Sequence, residues 1–208
     1  MNNQEFHIKS YCRITNEKMI CDGNLILQRN PDESNAEFLK EIYRKSEANY
    51  PKFFKMDLLC KSAFLATEFI SKKENLFETD TALILSNKGS SQDSDEKHAQ
   101  AIYGENSAAS PAVFVYTLPN IALGEISIRH QLFSENLFLI FDKFSPETLV
   151  PYSEQILNEN NAEKVLAGWV EADENNLDVF IYLIEKELDT KEITKHTIEN
   201  ITNLYLKK

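Results

Sequence analysis

At 208 residues, with 42% apolar and 26% charged side chains, the chain is long enough for one buried core and lies far from disordered or collagenous compositions. Its 33 acidic against 22 basic residues leave a formal charge of −11, which repels phosphate backbones and anionic headgroups and argues against nucleic acid and membrane surfaces as partners. No apolar run approaches the roughly 20 residues that span a bilayer, and Met1 to Glu5 reads as neither a basic nor an apolar leader, so one cytoplasmic domain over 1–208 is expected.

Residues 5–27 are rich in strand formers (Phe6, Ile8, Tyr11, Ile14, Ile20, Leu25) broken by Asn16 and by Asp22-Gly23-Asn24, a pattern that predicts one or two strands with turns at those breaks. Ser34-Asn35 caps a helix over 36–46, whose Phe38, Leu39, Ile42 and Tyr43 recur at helical spacing. Between 55 and 72 the apolar set covers well over one face, as in a helix enclosed by other elements, with Asp57 as its cap. The continuous apolar run 81–86 predicts a strand buried on both sides, followed by a polar loop and a helix over 95–103 closed by Gly104 in the left-handed region. Pro111 and Pro119 exclude a regular helix across 110–120 and predict an extended passage, after which Asn120 caps a helix to His130. Runs 137–141, 165–170 and 178–184 read as further strands, the last two a candidate hairpin around Asp173 to Asn176. A C-terminal amphipathic helix is expected over 190–206. Strands alternating with helices argue for an α/β fold with a sheet covered on both faces.

The chemistry-bearing motifs are missing. Five glycines supply neither a phosphate-binding loop nor a dinucleotide fingerprint, and there is no nucleophile elbow or zinc-protease helix, so no cofactor and no metal are expected. Cys12, Cys21 and Cys60 are odd in number and share no ligand spacing, which predicts reduced, buried thiols. His7, His98, His130 and His196 lie far apart and read as surface or boundary residues. The acidic groups at 93–96 and 171–174 read as solvated turns in loops or at strand ends.

The segment Ser110-Pro-Ala-Val-Phe-Val-Tyr-Thr-Leu-Pro-Asn-Ile-Ala-Leu-Gly-Glu-Ile-Ser-Ile-Arg129 resembles a pattern of the β-ketoacyl-acyl-carrier-protein synthases in the thiolase superfamily: Ser-Pro, an aromatic, Leu-Pro-Asn, a glycine, then Ile-x-Ile. Phe54-Lys55-Met56-Asp57 is similar to the Met-Asp before that family's first long helix, and residues 81–86 with Gly89 are similar to its next strand and glycine loop. The likeness runs in order over residues 5–171. It implies half of a thiolase-like fold, with a five-stranded mixed sheet of strands near 6–14, 81–86, 137–141, 164–170 and 179–184, the last antiparallel. The family's nucleophilic cysteine then falls near Lys143, where Asp142, Lys143 and Phe144 offer no sulfur. Its catalytic histidines belong to a second half to which nothing here corresponds, so the expected set of catalytic residues is empty. The following helix carries one apolar stripe (Leu149, Tyr152, Ile156, with Val150 or Leu157) and a polar side (Glu147, Ser153, Glu154, Gln155), so it expects water or a polar partner outside, as in a sequence adapted to life without that half.

By the same resemblance, dimers form through the 137–141 strand, which implies a homodimer or a heterodimer with a complete ketosynthase, and an acyl carrier protein as a further candidate partner. The expected function is a non-catalytic synthase-like subunit in fatty-acid or polyketide biosynthesis, with an aryl-polyene pigment as a candidate product. The alternatives are an acyl-thioester-processing enzyme, an acyltransferase or thioesterase whose candidate nucleophile is Cys60, and a self-assembling scaffold.

Overall fold

The computed structural model describes residues 5–74, 76, 80–104, 110–185 and 194–207. The chain opens on β1 (His7–Thr15), β2 (Lys18–Cys21) and β3 (Asn24–Gln28) and enters α1 (Asn35–Ser46). A 3-10 turn at Pro51–Lys55 leads to α2 (Leu58–Ser71) and β4 (Thr81–Asn87). Then come α3 (Gln92–Tyr103), α4 (Pro111–Val115), α5 (Ile121–His130) and β5 (Asn136–Ile140). The C-terminal part holds α6 (Pro146–Asn158), β6 (Lys164–Ala172), β7 (Leu177–Glu185), β8 (Thr194–Lys195) and α7 (Ile198–Leu206).

Among the described residues these strands form one eight-stranded sheet in the order β3-β2-β1-β7-β6-β4-β5, with β8 added beside β1. β4 is parallel to both β5 and β6, while β7 runs antiparallel to β6 and β1. The five strands expected from the resemblance are all present, with β7 antiparallel as expected. The sheet is wider than five because residues 5–28 make three strands rather than one or two and β8 adds an eighth. Asp22 and Gly23 take positive φ (50° and 77°), the backbone of a tight hairpin turn, and so return the chain as β3.

Two apolar layers cover the sheet. On one face α1, α2 and α5 bury Phe38, Leu39, Ile42, Phe64, Leu65, Ile70 and Ile126 against Cys12, Ile14, Leu83, Leu166 and Ile181. On the other, α6 and α7 bury Leu149, Ile156, Leu157, Ile201 and Leu204 against Ile84, Val165, Phe180 and Tyr182. Alternate residues of β4, β6 and β7 serve both layers, which is why their sequences are apolar throughout. β6 and β7 are the hairpin anticipated around residues 173–176, and they press so close at Gly168 that a Cβ there would lie 2.1 Å from the Phe180 carbonyl oxygen.

The helix caps follow the sequence closely at α1 and α2. Ser34 and Glu37 form a reciprocal capping box, and Asp57 accepts from the Cys60 amide at 2.8 Å. Four expectations need correction. Residues 111–115 form a short helix instead of an extended passage, because a proline is tolerated in the first turn and the helix ends before Pro119. Asn120 precedes α5 without capping it through its side chain. Gly104 closes α3 at φ −74°, not in the left-handed region. The last helix begins only at Ile198, capped by Thr197, because β8 occupies residues 194–195. The earlier part of that expected helix, 190–193, lies outside the described residues.

Candidate functional site

The parallel strands β4, β5 and β6 end on one side of the sheet, where open α/β sheets place their ligand sites. At the end of β4, the Lys88 and Gly89 amides both donate to the Glu171 carboxylate of β6, at 2.6 and 3.1 Å, so this carboxylate clamps the loop rather than facing solvent freely. The acidic residues 93–96 lie in the first turns of α3, where negative charge suits the helix dipole, and not in a loop.

β5 leads through residues 141–145 into α6, and the turn is fixed at its start by the Phe141 amide donating to the Asn87 carbonyl at 2.9 Å. Asp142 and Lys143 are exposed. Phe144 turns inward and packs its ring against Tyr205, Phe180 and Trp169, with centroids 4.4, 5.7 and 6.4 Å away. Below that aromatic cluster Asp178 takes hydrogen bonds from Trp169 and Tyr205 and an ion pair from Arg13 at 2.6 Å. The turn where the resemblance would seat a nucleophile is therefore an aromatic plug with a solvated lysine on its rim.

Cys60 lies on the opposite face of the sheet, in the layer made by α1, α2 and α5. It is buried, and burial followed by the Asp57 carboxylate pushes its thiol well above the ordinary value, so it is held protonated. Asp57 itself is occupied by the Cys60 amide and the Ser94 hydroxyl, each at 2.8 Å. All three cysteines are free and buried.

Outside Cys60 a cleft of about 600 Å³ opens between the start of α2, α3 and α4, lined by Met56, Asp57, Lys61, Lys97, Val113 and Tyr116. Tyr116 donates to the buried Glu125 at 3.2 Å, and Lys52 pairs with the same carboxylate at 2.9 Å. Lys97 is spent on Asp93 and Glu174, at 2.9 and 3.1 Å.

Two histidines depart from the expected surface positions. His130 and His196 are 1% and 4% exposed. His130 lies 3.1 Å from Glu68, which also holds Arg129 through two hydrogen bonds, and His196 lies 3.2 Å from Glu154. These pairings join residues distant in sequence, so spacing could not reveal them. Among the described residues no group of histidine, cysteine and carboxylate side chains could hold a metal ion.

On α6 the buried stripe is Leu149, Val150, Ser153, Ile156 and Leu157. Ser153 was expected on the polar side, yet its hydroxyl is buried and satisfied by the Leu149 carbonyl at 2.8 Å, while Tyr152 faces out. Glu147 and Gln155 remain exposed.

β5 is an edge: it pairs with β4 and, among the described residues, with nothing on its other side. Phe133, in the connection into β5, is 91% exposed, and Ile140 at its end is 50% exposed. Phe114, Val115 and Leu118, in and just after α4, also face out. An apolar edge strand flanked by exposed apolar side chains is a surface that ordinarily meets another chain. No described helix is long and apolar enough to cross a membrane.

No protein-family model matches the chain, and no curated protein does. Solved structures do. The chain resembles the ishigamide ketosynthase/chain length factor (14% identity, TM-score 0.63, covering 91% of this chain and 64% of that one). It also resembles a chain of a type II polyketide synthase acyl-carrier protein in complex with its ketosynthase bound to the hexaketide (12%, 0.64, 88% and 63%). A third likeness is to a chain of a ketosynthase in complex with its chain length factor from Xenorhabdus doucetiae (10%, 0.58, 89% and 80%), so those two chains are of similar length. The chain thus spans less than two thirds of the first two proteins it matches. At these identities the likeness is one of fold: this chain shares the mixed α/β fold of the ketosynthase and chain length factor structures it matches.

Proposed function

We propose that the protein is a ketosynthase-like subunit that does not itself condense acyl groups and that pairs, along β5, with a complete ketosynthase. A decarboxylative condensation needs a thiolate to carry the acyl chain and donors to stabilise the thioester enolate. The observation that carries this reading is the turn after β5, where Lys143 is solvated and Phe144 is packed into an aromatic cluster. The free edge of β5 and the exposed Phe133 and Ile140 support a partner at this strand. The solved structures that share the fold include a ketosynthase with its chain length factor and a ketosynthase with its acyl-carrier protein, which supports a role of the accessory kind in a polyketide-type pathway. An aryl-polyene product belongs to the same proposal.

The alternative of a Cys60 enzyme has less support, because that thiol is buried and kept protonated by burial and Asp57. An acyl carrier protein is a further candidate partner in this proposal, supported by the fold shared with a ketosynthase bound to its acyl-carrier protein. The test is co-expression with ketosynthases encoded in the same genome followed by size-exclusion chromatography. A stable one-to-one complex with one of them is expected. If the chain elutes alone in every co-expression, the pairing is refuted.

A further inference from the structure

Cys12 of β1 and Cys21 of β2 face each other across the first hairpin as register partners. The Asp22 amide donates to the Tyr11 carbonyl at 3.0 Å, one of the two bonds of a hydrogen-bonded pair, while the Tyr11 amide donates to the Asp22 carboxylate at 2.7 Å. Antiparallel pairs alternate, so Cys12 and Cys21 form a non-hydrogen-bonded pair, the type with Cα atoms about 4.5 Å apart and side chains close together. That separation falls within the range of about 4.4–6.8 Å that a disulfide spans without backbone movement. Both side chains point into the layer under α1 and α2, at 0% and 1% exposure, so neither needs to leave its side of the sheet to meet the other.

We propose that Cys12 and Cys21 form a redox-closable staple, converted by a disulfide oxidant such as glutathione disulfide into an intrachain bond that locks β2 onto β1.

The neighbouring Cys12 side chain lowers the Cys21 thiol, whose sulfur lies 3.8 Å from an Asp22 carboxylate oxygen, whereas burial pushes Cys12 well up. Cys21 also sits beside the ion pair of Asp22 and Lys73, both partly exposed, and on a strand near the sheet margin, where local opening is easiest. In the reaction the Cys21 thiolate attacks one sulfur of glutathione disulfide, breaks its S–S bond and releases one glutathione thiolate. Cys12 gives its proton to that thiolate, and its sulfur then attacks the mixed disulfide at Cys21 and expels the second glutathione. The protein pair loses two electrons and two protons, and the oxidant becomes two glutathione molecules.

The experiment exposes the reduced, full-length protein to glutathione disulfide, traps free thiols with iodoacetamide, and digests it with trypsin without reduction. Cleavage after Lys9, Arg13, Lys18 and Arg29 separates the two cysteines. The expected product is peptide 10–13 joined to peptide 19–29, with intact protein lighter by two hydrogens. The same staple is expected in Cys60→Ser, while Cys12→Ser should stop at a glutathione adduct on Cys21. The oxidised protein should melt roughly 5 °C higher than the reduced one, as a short native cross-link does. Linkage through Cys60, a persistent glutathione adduct in the wild type, no oxidation of the folded protein, or a lowered melting temperature would each overturn the proposal.

Discussion

Glu68 shows how a single carboxylate ties two helices together. It projects from α2 and is gripped by Arg129 and His130 of α5, with Nε of Arg129 at 2.7 Å and Nε2 of His130 at 3.1 Å. Burial alone would raise its pKa, but the hydrogen bonds from His130 and Arg129 bring it down to about 2. A carboxyl whose folded pKa lies below its unfolded one stabilises the fold fully at neutral pH and loses that contribution as pH falls from about 4.5 towards 2. The Glu68→Gln variant should therefore be less stable than wild type at pH 7 and approach it at pH 3, as read from thermal midpoints at both pH values. An equal gap at the two pH values would contradict this. Gly168 presents the opposite situation, a residue whose role is to have no side chain. A Cβ there would meet the Phe180 carbonyl oxygen at 2.1 Å and the Ile181 Cα at 2.9 Å, both backbone atoms that cannot swing away. Gly168→Ala is expected to cost about 3 kcal/mol or more in a urea titration, or to leave the protein insoluble.

At the level of elements, β5 distinguishes a partner surface from an ordinary sheet margin. Among the described residues its backbone pairs on one side only, and Ile140 is half exposed. Ile140→Lys should leave the thermal midpoint of the isolated chain within a degree or two while weakening association with the ketosynthase by about tenfold or more, since a lysine blunts an edge strand. Unchanged affinity in a titration would place the partner elsewhere. The elements that sequence alone revealed were those with strong local causes. The buried runs of β4, β6 and β7 could belong only to a sheet covered on both faces, and Ser34 and Asp57 marked their helices through side chains that reach their own backbone. What escaped was decided by tertiary neighbours. β8 is two residues long and exists because β1 offers it an edge, and α4 starts on Pro111, a residue that also signals a break. The burial of His130 and His196 depends on carboxylates on other helices, and Ser153 is buried because its hydroxyl bonds back to its own helix. The strand and helix on either side of Lys143 were legible because they keep their order in the chain. The aromatic plug at Phe144 was not, because Tyr205, Phe180 and Trp169 come from three separate elements.

For the molecule as a whole, the proposal that the chain does not condense acyl groups predicts that an added thiol alone would not make it do so. Lys143→Cys places sulfur on the rim of the turn, where it should be alkylated readily by iodoacetamide. It should still carry out no condensation, because Phe144 fills the space behind it and the histidines are committed elsewhere: His130 and His196 sit against Glu68 and Glu154, and His98 against Phe114. On this proposal the chain shares the fold of its structural neighbours and serves a ketosynthase partner without condensing acyl groups itself. The measurement that bears on this most directly is chain elongation from labelled malonyl and acyl carrier proteins, run with this protein alone, with a co-purifying ketosynthase alone, and with both. No two-carbon extension is predicted for the protein alone, and altered product length or yield is predicted for the pair over the ketosynthase by itself. Extension of the acyl chain by this protein alone would contradict the account.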